Sequence, residues 1–401
     1  MIAIGLTGSF GSGCTKIIAE KYLVSKYDFK FYSLSKTLAQ IYDIENKPQK
    51  FFDLKRKEKQ SFGNIIREQH GKDYLAKKLY ENIIAELGGN NKQNIVVDSI
   101  RNPFELRYLK ESLANFYLIG VYADFGIRWD RVEKIYDGNI NEFKEDDKRD
   151  KGEDLSYGQR VKDTFNLSDF IINNNENFIS NGCKAETDLS GKLSYFIDLI
   201  NGKIIFKPSI NETNMTLAYS VSLRSNCLKR KVGAVIADDK GMIISSGYNR
   251  VPEVLGDCKK EFNMCYRSHL RENVKNILDE EKEIKPETKN KINSIIGKFK
   301  MLDYCRALHA EESAILDIIR HGNNTIVGSK MYVTTYPCNL CANSIVTVGI
   351  SKLIYFEPYP MEEAKKIITA HGIETTPFEG ITHNGYFKFM EEIINENMSE
   401  M

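Results

Sequence analysis

The sequence has no apolar run that approaches the roughly 20 residues a membrane-spanning helix needs. Its apolar first residues, 1–6, have no basic segment in front of them and lead directly into glycines, which indicates a first β-strand and not a secretory signal. Short-period repeats and low-complexity tracts are also absent. These absences predict a globular protein of the cytoplasm with no membrane partner.

The sequence also carries almost no net charge. Lys and Arg number 56 against 55 Asp and Glu, which leaves a formal charge of +1. Proteins that coat nucleic acid usually carry a basic excess. The charge balance therefore argues against a nucleic-acid partner and favours a small-molecule substrate.

Cysteine is present and unevenly distributed. The eight cysteines are Cys14, Cys183, Cys227, Cys258, Cys265, Cys305, Cys338 and Cys341. The last six of these follow residue 220. In a reducing compartment, clustered cysteines more often bind metal than form disulfides. The distribution therefore predicts metal chemistry in the C-terminal half.

The chain is long enough for two domains. Apolar runs at residues 2–6, 94–98 and 116–124 alternate with helical spacing and predict a parallel sheet covered on both faces. A closing helix at 191–202 predicts a boundary near residue 203. We therefore expect an α/β domain at residues 1–203 and a second domain at 204–401.

The second domain has a different element pattern. A helix at 212–224 precedes strands at 232–236 and 242–246. Helices beginning near His309 and at Cys338, strands at 330–335 and 352–356, and a helix at 362–371 follow. This order predicts an α/β/α sandwich with a mixed sheet.

Two stretches are rich in charge and poor in pattern, at about 137–158 and 273–298. Such runs usually form solvated helices or loops. That is the prediction for both, with a mobile lid or an inserted segment as the alternative.

The string with the clearest chemistry is His309-Ala310-Glu311, followed 25 residues later by Pro337-Cys338-Asn339-Leu340-Cys341. H-x-E followed by P-C-x-x-C is the signature of zinc nucleobase deaminases. Two thiolates in the first turn of a helix and one imidazole supply three ligands, which leaves a fourth zinc position for water. His309, Cys338 and Cys341 are thus the predicted zinc ligands.

Glu311 lies two residues beyond the predicted histidine ligand. A carboxylate there can approach a metal without binding it, and can move protons between water, a ring nitrogen and leaving ammonia. The alternative is a closed, structural zinc site, which needs a fourth protein ligand that the motif does not supply. Glu311 is therefore the predicted catalytic acid and base.

The same half resembles the deoxycytidylate-type deaminases at residues 217–227, 231–236 and 247–249, in order and in spacing. By this resemblance, Asn249 hydrogen-bonds the deoxyribose of the substrate; an ordinary turn residue is the alternative. Arg250 stands where that family usually has glycine, and could reach a phosphate or lie in solvent.

Some phage-type members of that family hold a second, structural zinc. The cysteines left over here are Cys227, Cys258, Cys265 and Cys305, with His269 as an alternative ligand. Four thiolates suit tetrahedral zinc. Free cysteines packed as small apolar residues are the alternative.

A glycine-rich turn follows the first strand and opens a helix, which is the context a phosphate-binding P-loop requires. Its members are Gly8, Gly11, Ser12, Gly13, Cys14 and Thr15. Cys14 stands where the pattern has lysine, and Lys16 is turned away by its position along the helix. The loop is predicted to bind a nucleotide, with Mg²⁺ at Thr15, and to lack the usual charge for phosphoryl transfer. Active phosphoryl transfer and a purely structural role are the alternatives.

Residues 97–103 and 166–174 resemble nucleoside-monophosphate and dephospho-coenzyme A kinases, with Arg128 and Arg131 at a lid-entry position. A kinase-like half joined to a deoxycytidylate-type half resembles the bacterial anti-phage dCTP deaminases. That resemblance implies conversion of dCTP to dUTP and ammonia, depletion of the dCTP pool, and a homo-oligomer.

Three alternatives stay open from the sequence. The first is a dCMP deaminase of nucleotide metabolism, because the zinc motif does not read the phosphates. The second is a deaminase of bases in a polynucleotide. The third is a sensor whose first half binds a regulatory nucleotide and controls the second half.

Overall fold

The computed structural model describes residues 1–44, 49–88, 92–152, 157–175, 179–180, 183–184, 189–252, 256–298, 301–322, 326–357 and 362–399. The chain forms two compact units. Unit 1 comprises Met1–Pro208 and Glu379–Met401, and unit 2 comprises Ser209–Phe378. Within the described ranges, no helix has the length and apolar character needed to cross a membrane.

Unit 1 is built on a largely parallel sheet whose strands run in the order β13-β5-β4-β1-β3-β2. The bounds are β1 Ala3–Thr7, β2 Lys30–Ser33, β3 Ile95–Asp98, β4 Phe116–Tyr122, β5 Phe170–Asn173 and β13 Gly380–Ile381. Pairing is parallel except between β13 and β5. A short antiparallel ladder joins β6 Ile179–Ser180 to β7 Cys183–Lys184.

Helices connect these strands. Their bounds are α1 Cys14–Val24 with a last turn Ser25–Tyr27, α2 Leu34–Ile44, α3 Arg56–His70, α4 Tyr74–Leu87, α5 Pro103–Ser112, α6 Phe125–Val132, α7 Ile140–Lys151, α8 Val161–Phe165, α9 Leu189–Ile200 and α17 His383–Ser399. Ile4 and Leu6 of β1 pack into one apolar cluster and Ala3 into another. The alternation shows that both faces of the sheet are covered, as the apolar runs predicted.

The charged stretch at 137–158 is not simply solvated. It contains α7, in which Asp146, Asp147 and Asp150 are buried. Asp150 accepts from Arg101 Nη1 at 3.2 Å and from Gln60 Nε2 at 2.7 Å, and it pairs with Arg56. The prediction of a solvated segment was wrong for this face because cations from distant parts of the chain compensate the acids.

Unit 2 has a mixed sheet in the order β12-β11-β10-β8-β9. The strands are β8 Gly233–Ala237, β9 Ile243–Tyr248, β10 Lys330–Thr335, β11 Lys352–Glu357 and β12 Glu374–Pro377. β8 is antiparallel to β9 and β10, whereas β10, β11 and β12 are parallel.

The helices of unit 2 are α10 Ile210–Ser222, α11 Cys258–Phe262, α12 Tyr266–Glu280, α13 Pro286–Lys298, α14 Ala310–His321, α15 Asn339–Thr347 and α16 Glu362–Ala370. Helix α14 lies close against β9. An added Cβ at Gly247 would meet the Ala310 carbonyl oxygen and the Ala314 nitrogen at 2.4 Å, so the sequence needs glycine here. This close approach fixes the start of α14 against the sheet.

The C-terminal segment from Glu379 onward belongs to unit 1, whereas the sequence predicted that it belongs to the second domain. We predicted one domain from 204 to 401, but residues 379–401 pack in unit 1. Strand β13 pairs with β5, and the Phe389 ring stacks on Tyr117 with centroids 5.8 Å apart. Strand β13 covers the edge of β5, and Phe389 of α17 joins the apolar cluster on one face of the sheet. Both contacts are long-range, so the local sequence pattern does not reveal them.

Candidate functional site

The three predicted zinc ligands meet at two helix N-termini. His309 precedes α14, Cys338 precedes α15 and Cys341 lies in the first turn of α15. The His309 Nδ1 lies 3.2 Å from Cys341 Sγ and 3.4 Å from Cys338 Sγ, and the two sulfurs are 3.6 Å apart. Within the described residues, the cluster that could hold a metal consists of these three side chains.

Local sequence explains why these side chains converge. His309 has extended backbone angles, and its N–H donates to Glu312 Oε2 at 3.3 Å, which starts α14 at the next residue. Cys338 has the same role for α15, so Cys341 follows it on the first turn. Soft sulfurs and one imidazole in a three-ligand set suit zinc with an open fourth position.

The pKa values of His309, Cys338 and Cys341 are set largely by hydrogen bonds among these side chains and Cys305. Hydrogen bonding from Cys341 holds the pKa of Cys338 down, to about 4, and the same contact raises the pKa of Cys341. Hydrogen bonds to Cys305 and then to Cys338 raise the pKa of His309 to about 11. Binding a cation to all three groups therefore requires His309 and Cys341 to release protons.

Glu311 is buried, with 4% of its surface exposed. Burial raises its pKa to about 7, and the negative charge at Cys338 raises it further, against the opposing effect of His309. The carboxylate is not one of the three side chains whose ligand atoms converge. Glu311 thus lies beside the predicted metal position with a pKa suited to giving and taking protons near neutrality.

Asn249 lies near this cluster through a backbone pairing. Arg250 and Leu308 form an antiparallel bridge with N–O distances of 3.1 and 2.9 Å, and Leu308 precedes His309. The buried Asn249 amide accepts from Val232 N at 2.8 Å and donates to Arg230 O at 2.9 Å. One N–H and one lone pair of the amide are left for a ligand, so the predicted sugar contact stays a prediction.

The structure does not bring the remaining cysteines together. Within the described residues, no three of Cys227, Cys258, Cys265, Cys305 and His269 offer ligand atoms within 4.8 Å of one another. The His269 ring instead packs against that of Phe262, with ring centroids 4.7 Å apart and the planes tilted by 32°. A second zinc held by these residues stays a prediction to which this geometry adds no support.

Cys305 lies beside the predicted ligand His309. Its sulfur accepts a hydrogen bond from the His309 ring, and this contact is the first cause of the lowered pKa of the Cys305 thiol. An outer partner of this kind fixes the orientation of a metal-binding imidazole. The sequence signal was the position of Cys305, four residues before His309, which we had assigned to another site.

The glycine-rich loop of unit 1 lines a cavity of about 590 Å³. Gly11 and Gly13 have φ of 83° and 92°, conformations that favour glycine. An added Cβ at Gly8 would meet the Val121 carbonyl oxygen at 2.5 Å. The loop thus has left-handed backbone at two of its glycines and close packing against β4 at a third.

The side chains around this loop form a hydrogen-bonded set. Ser12 Oγ lies 3.4 Å from Cys14 Sγ, and Thr15 Oγ1 donates to Asp98 Oδ2 at 2.6 Å. Burial, followed by the negative charge of Asp98, raises the pKa of Cys14 to about 12. Lys16 points into solvent and pairs with Glu20 at 2.9 Å, so no lysine replaces the missing one in the loop.

The two arginines predicted at a lid entry hold the loop instead. Arg131 Nη1 donates to the carbonyls of Gly11 and Ser12 at 3.1 and 3.3 Å. Arg128 is buried and pairs with Asp147 at 2.7 Å. The sequence analysis missed this role, because the partners are distant in sequence.

The family profile described as the cytidine and deoxycytidylate deaminase zinc-binding region matches residues 208–357. The deoxycytidylate deaminase of Schizosaccharomyces pombe is 27% identical over 302 residues, which cover 73% of this chain and 80% of that protein. This match is longer than unit 2, so it extends into unit 1.

The deoxycytidylate deaminase of Enterobacteria phage T2 is 34% identical over 158 residues, which cover 37% of this chain and 79% of that protein. The solved structure of the cyanophage S-TIM5 dCMP deaminase in complex with dCMP and dUMP is 24% identical. The match covers 43% of this chain and 99% of the cyanophage chain, with a TM-score of 0.29. By these sequence matches, and with a fitting His-Cys-Cys cluster, the chain belongs to the cytidine and deoxycytidylate deaminase family of zinc-binding hydrolases.

Proposed function

We propose that this protein hydrolytically deaminates the cytosine ring of a free deoxycytidine nucleotide. The observation that carries the proposal is the buried Glu311 beside the three converging ligands His309, Cys338 and Cys341. The reaction joins a water oxygen to C4, breaks the bond from C4 to the amino nitrogen, and gives a uracil ring and ammonia. Zinc in the cluster supplies Lewis acidity and an activated water.

Glu311 performs the proton transfers. Its carboxylate accepts a proton from the attacking water and delivers it to the ring nitrogen next to C4; a later transfer makes the amino group leave as ammonia. A pKa of about 7 lets the group take up and release a proton at neutral pH. The same burial that raises the pKa of Glu311 also excludes bulk water from its carboxylate.

The names of the relatives favour dCMP as the substrate, because each matched deoxycytidylate deaminase is named for that nucleotide. dCTP is the second candidate. It is favoured by the resemblance to the anti-phage dCTP deaminases, which also implies the biological role of depleting the dCTP pool. The same resemblance implies a homo-oligomer. Analytical ultracentrifugation would measure the mass of that oligomer.

The test is ammonia release by the purified full chain with dCMP, dCTP, deoxycytidine and a cytosine-containing oligonucleotide, each assayed alone. We expect turnover of a free deoxynucleotide and a loss of about 10²- to 10⁴-fold in Glu311→Gln. Asp317→Asn, on the half-exposed side of α14, is the matched control and should keep full activity. Turnover of the oligonucleotide alone, or full activity in Glu311→Gln, refutes the proposal.

For unit 1 we propose that the cavity at the glycine-rich loop binds the phosphates of a regulatory nucleotide, with Mg²⁺ near Thr15. Thr7 Oγ1 is buried without a hydrogen-bond partner and Thr7 lines the cavity, so a polar ligand is favoured there. The strand order, with β1 between β3 and β4, puts the loop at the carboxyl end of a central strand. A neutral Cys14 favours binding without phosphoryl transfer.

This second proposal is tested by titrating the full chain with ATP and Mg²⁺, and with inorganic triphosphate, in a calorimeter. We expect binding, no hydrolysis of ATP above background, and weaker binding in Arg131→Gln, which releases the loop carbonyls. Arg107→Gln on the exposed face of α5 is the matched control. Absence of binding with both probes refutes a phosphate site here.

A further inference from the structure

The cavity at the glycine-rich loop of unit 1 is lined by cations, although the loop itself has Cys14 where the pattern has lysine. Within the described residues, the positively charged side chains of this lining are Lys16, Arg101 and Arg131. Loop amides carry only partial positive charge, whereas a phosphate chain carries several full negative charges. The contacts of the three side chains therefore decide which of them can bind such a ligand.

Two of these cations already serve other contacts. The Lys16 side chain is 81% exposed and pairs with Glu20 at 2.9 Å. Arg131 donates from Nη1 to two carbonyls of the loop and from Nη2 to the carbonyl of Asn174 at 2.9 Å. Lys16 is therefore directed to solvent, and Arg131 uses its donors to hold the loop in shape.

The sheet topology places Arg101 beside the loop. Strand β3 lies next to β1 and parallel to it, so the chain leaves both strands at the same edge of the sheet. After β3, Ser99 has a left-handed φ of 69°, and the N–H of Ile100 donates to the carbonyl of Leu6 in β1 at 3.2 Å. Arg101 is the next residue, so the backbone brings it to the end of β1, where the loop begins.

Arg101 is anchored through one end of its guanidinium. Its Nη1 lies 3.2 and 3.3 Å from the two carboxylate oxygens of Asp150. Among the hydrogen bonds of the described residues, none engages Nε or Nη2 of Arg101, and both nitrogens remain accessible. The side chain keeps 21% of its surface exposed and lines the cavity. Three N–H groups of a fixed guanidinium are therefore left for a ligand.

The charge of Arg101 also acts on the residue that replaces lysine. Burial raises the pKa of the Cys14 thiol to about 12, and the positive charge of Arg101 opposes this rise. In the other direction, burial lowers the pKa of Arg101, and Cys14 is among the groups that oppose the decrease. The two side chains that line the cavity are thus within electrostatic range of each other.

We propose that Arg101 binds the phosphate chain of the nucleotide in this cavity and supplies the positive charge that Cys14 lacks. The inference deepens the proposed nucleotide site of unit 1 and rests on it. A guanidinium grips phosphate oxygens through parallel N–H donors, which a lysine does not have. Because Asp150 fixes its other end, the group holds the phosphates in place on the β3 side of the loop.

The experiment is a calorimetric titration of the full chain with inorganic triphosphate and with ATP, each in the presence of Mg²⁺. It compares the wild type with Arg101→Gln, with Arg101→Lys and with a double variant that carries Arg101→Gln and Cys14→Lys. Arg107→Gln, which removes one exposed positive charge from α5, is the matched control. The thermal midpoint of each variant is measured first. Arg101→Lys keeps a cation beside Asp150, so it tests the inference even where Arg101→Gln does not fold.

We expect Arg101→Gln to raise the Kd of both probes roughly 10- to 100-fold. Arg101→Lys should raise it several-fold, because lysine keeps the charge and loses the paired donors. Cys14→Lys, added to Arg101→Gln, should recover most of the loss, because it returns an ammonium group to the position where a P-loop carries one. Arg107→Gln should bind both probes as the wild type does.

Two results overturn the inference. One is an Arg101 variant, glutamine or lysine, that folds and binds triphosphate with the Kd of the wild type. The other is a loss of affinity in Arg101→Gln that Cys14→Lys does not restore, which would show that Arg101 supports the shape of the cavity and not its charge. Wild-type protein that binds neither probe marks failure of the proposed nucleotide site itself, and the inference fails with it.

Discussion

Replacing Glu311 by glutamine should make unit 2 more stable than in the wild type, by an amount that grows as the pH rises. The same replacement should remove catalysis. Burial raises the pKa of this carboxyl group from 4.5 to about 7. Because the folded pKa lies above the unfolded one, the stabilising effect is complete below about pH 4.5 and is lost as the pH rises through 7. The wild type should therefore lose about 3 kcal/mol relative to the glutamine variant between pH 4.5 and pH 8.

Differential scanning calorimetry on both proteins from pH 5 to pH 8.5 would measure this difference. The transition of unit 2 is identified as the one that zinc shifts. At pH 8 and in the presence of a chelator, its midpoint should be about 6 to 12 °C higher in the variant, and the gap should shrink toward pH 5. Zinc should reduce the difference in midpoint between the two proteins at pH 8, because a nearby cation stabilises the ionised form of Glu311. A gap that is independent of pH would refute the reasoning.

Other predictions follow from the same structure. Cys338→Ser should lower the zinc content by one ion per chain, whereas Cys227→Ser should leave it unchanged; atomic absorption distinguishes the two, and a loss in Cys227→Ser would instead support a second zinc. Zinc uptake by the three-ligand cluster should release protons and weaken as the pH falls, which calorimetry in buffers of different ionisation heat would detect. Asp150→Asn should destabilise unit 1 by about 3 to 5 kcal/mol in urea unfolding, because Arg101 and Arg56 lose their buried partner; a loss below 1 kcal/mol would contradict this account.

The local features were predictable because each depends on neighbouring residues. The Cys338–Cys341 spacing fits one helical turn, and the helix after His309 is started by a hydrogen bond between neighbours, from the His309 N–H to Glu312. The strand at 330–335 was predicted with the bounds that the structure has. The glycines after β1 likewise indicated a tight turn, and the structure has left-handed backbone at Gly11 and Gly13.

The sequence by itself therefore indicated the reaction type, the family and the three side chains that converge in a cluster able to hold a metal, since these depend on residue identity and short spacing. Tertiary structure alone decided how charged groups behave. Burial sets the pKa of Glu311, distant arginines make a buried Asp150 tolerable, and packing against β5 takes the end of the chain into unit 1. It also brought Cys305 to the imidazole of His309. The physical reason is that desolvation and long-range pairing depend on what surrounds a residue, which no local pattern contains.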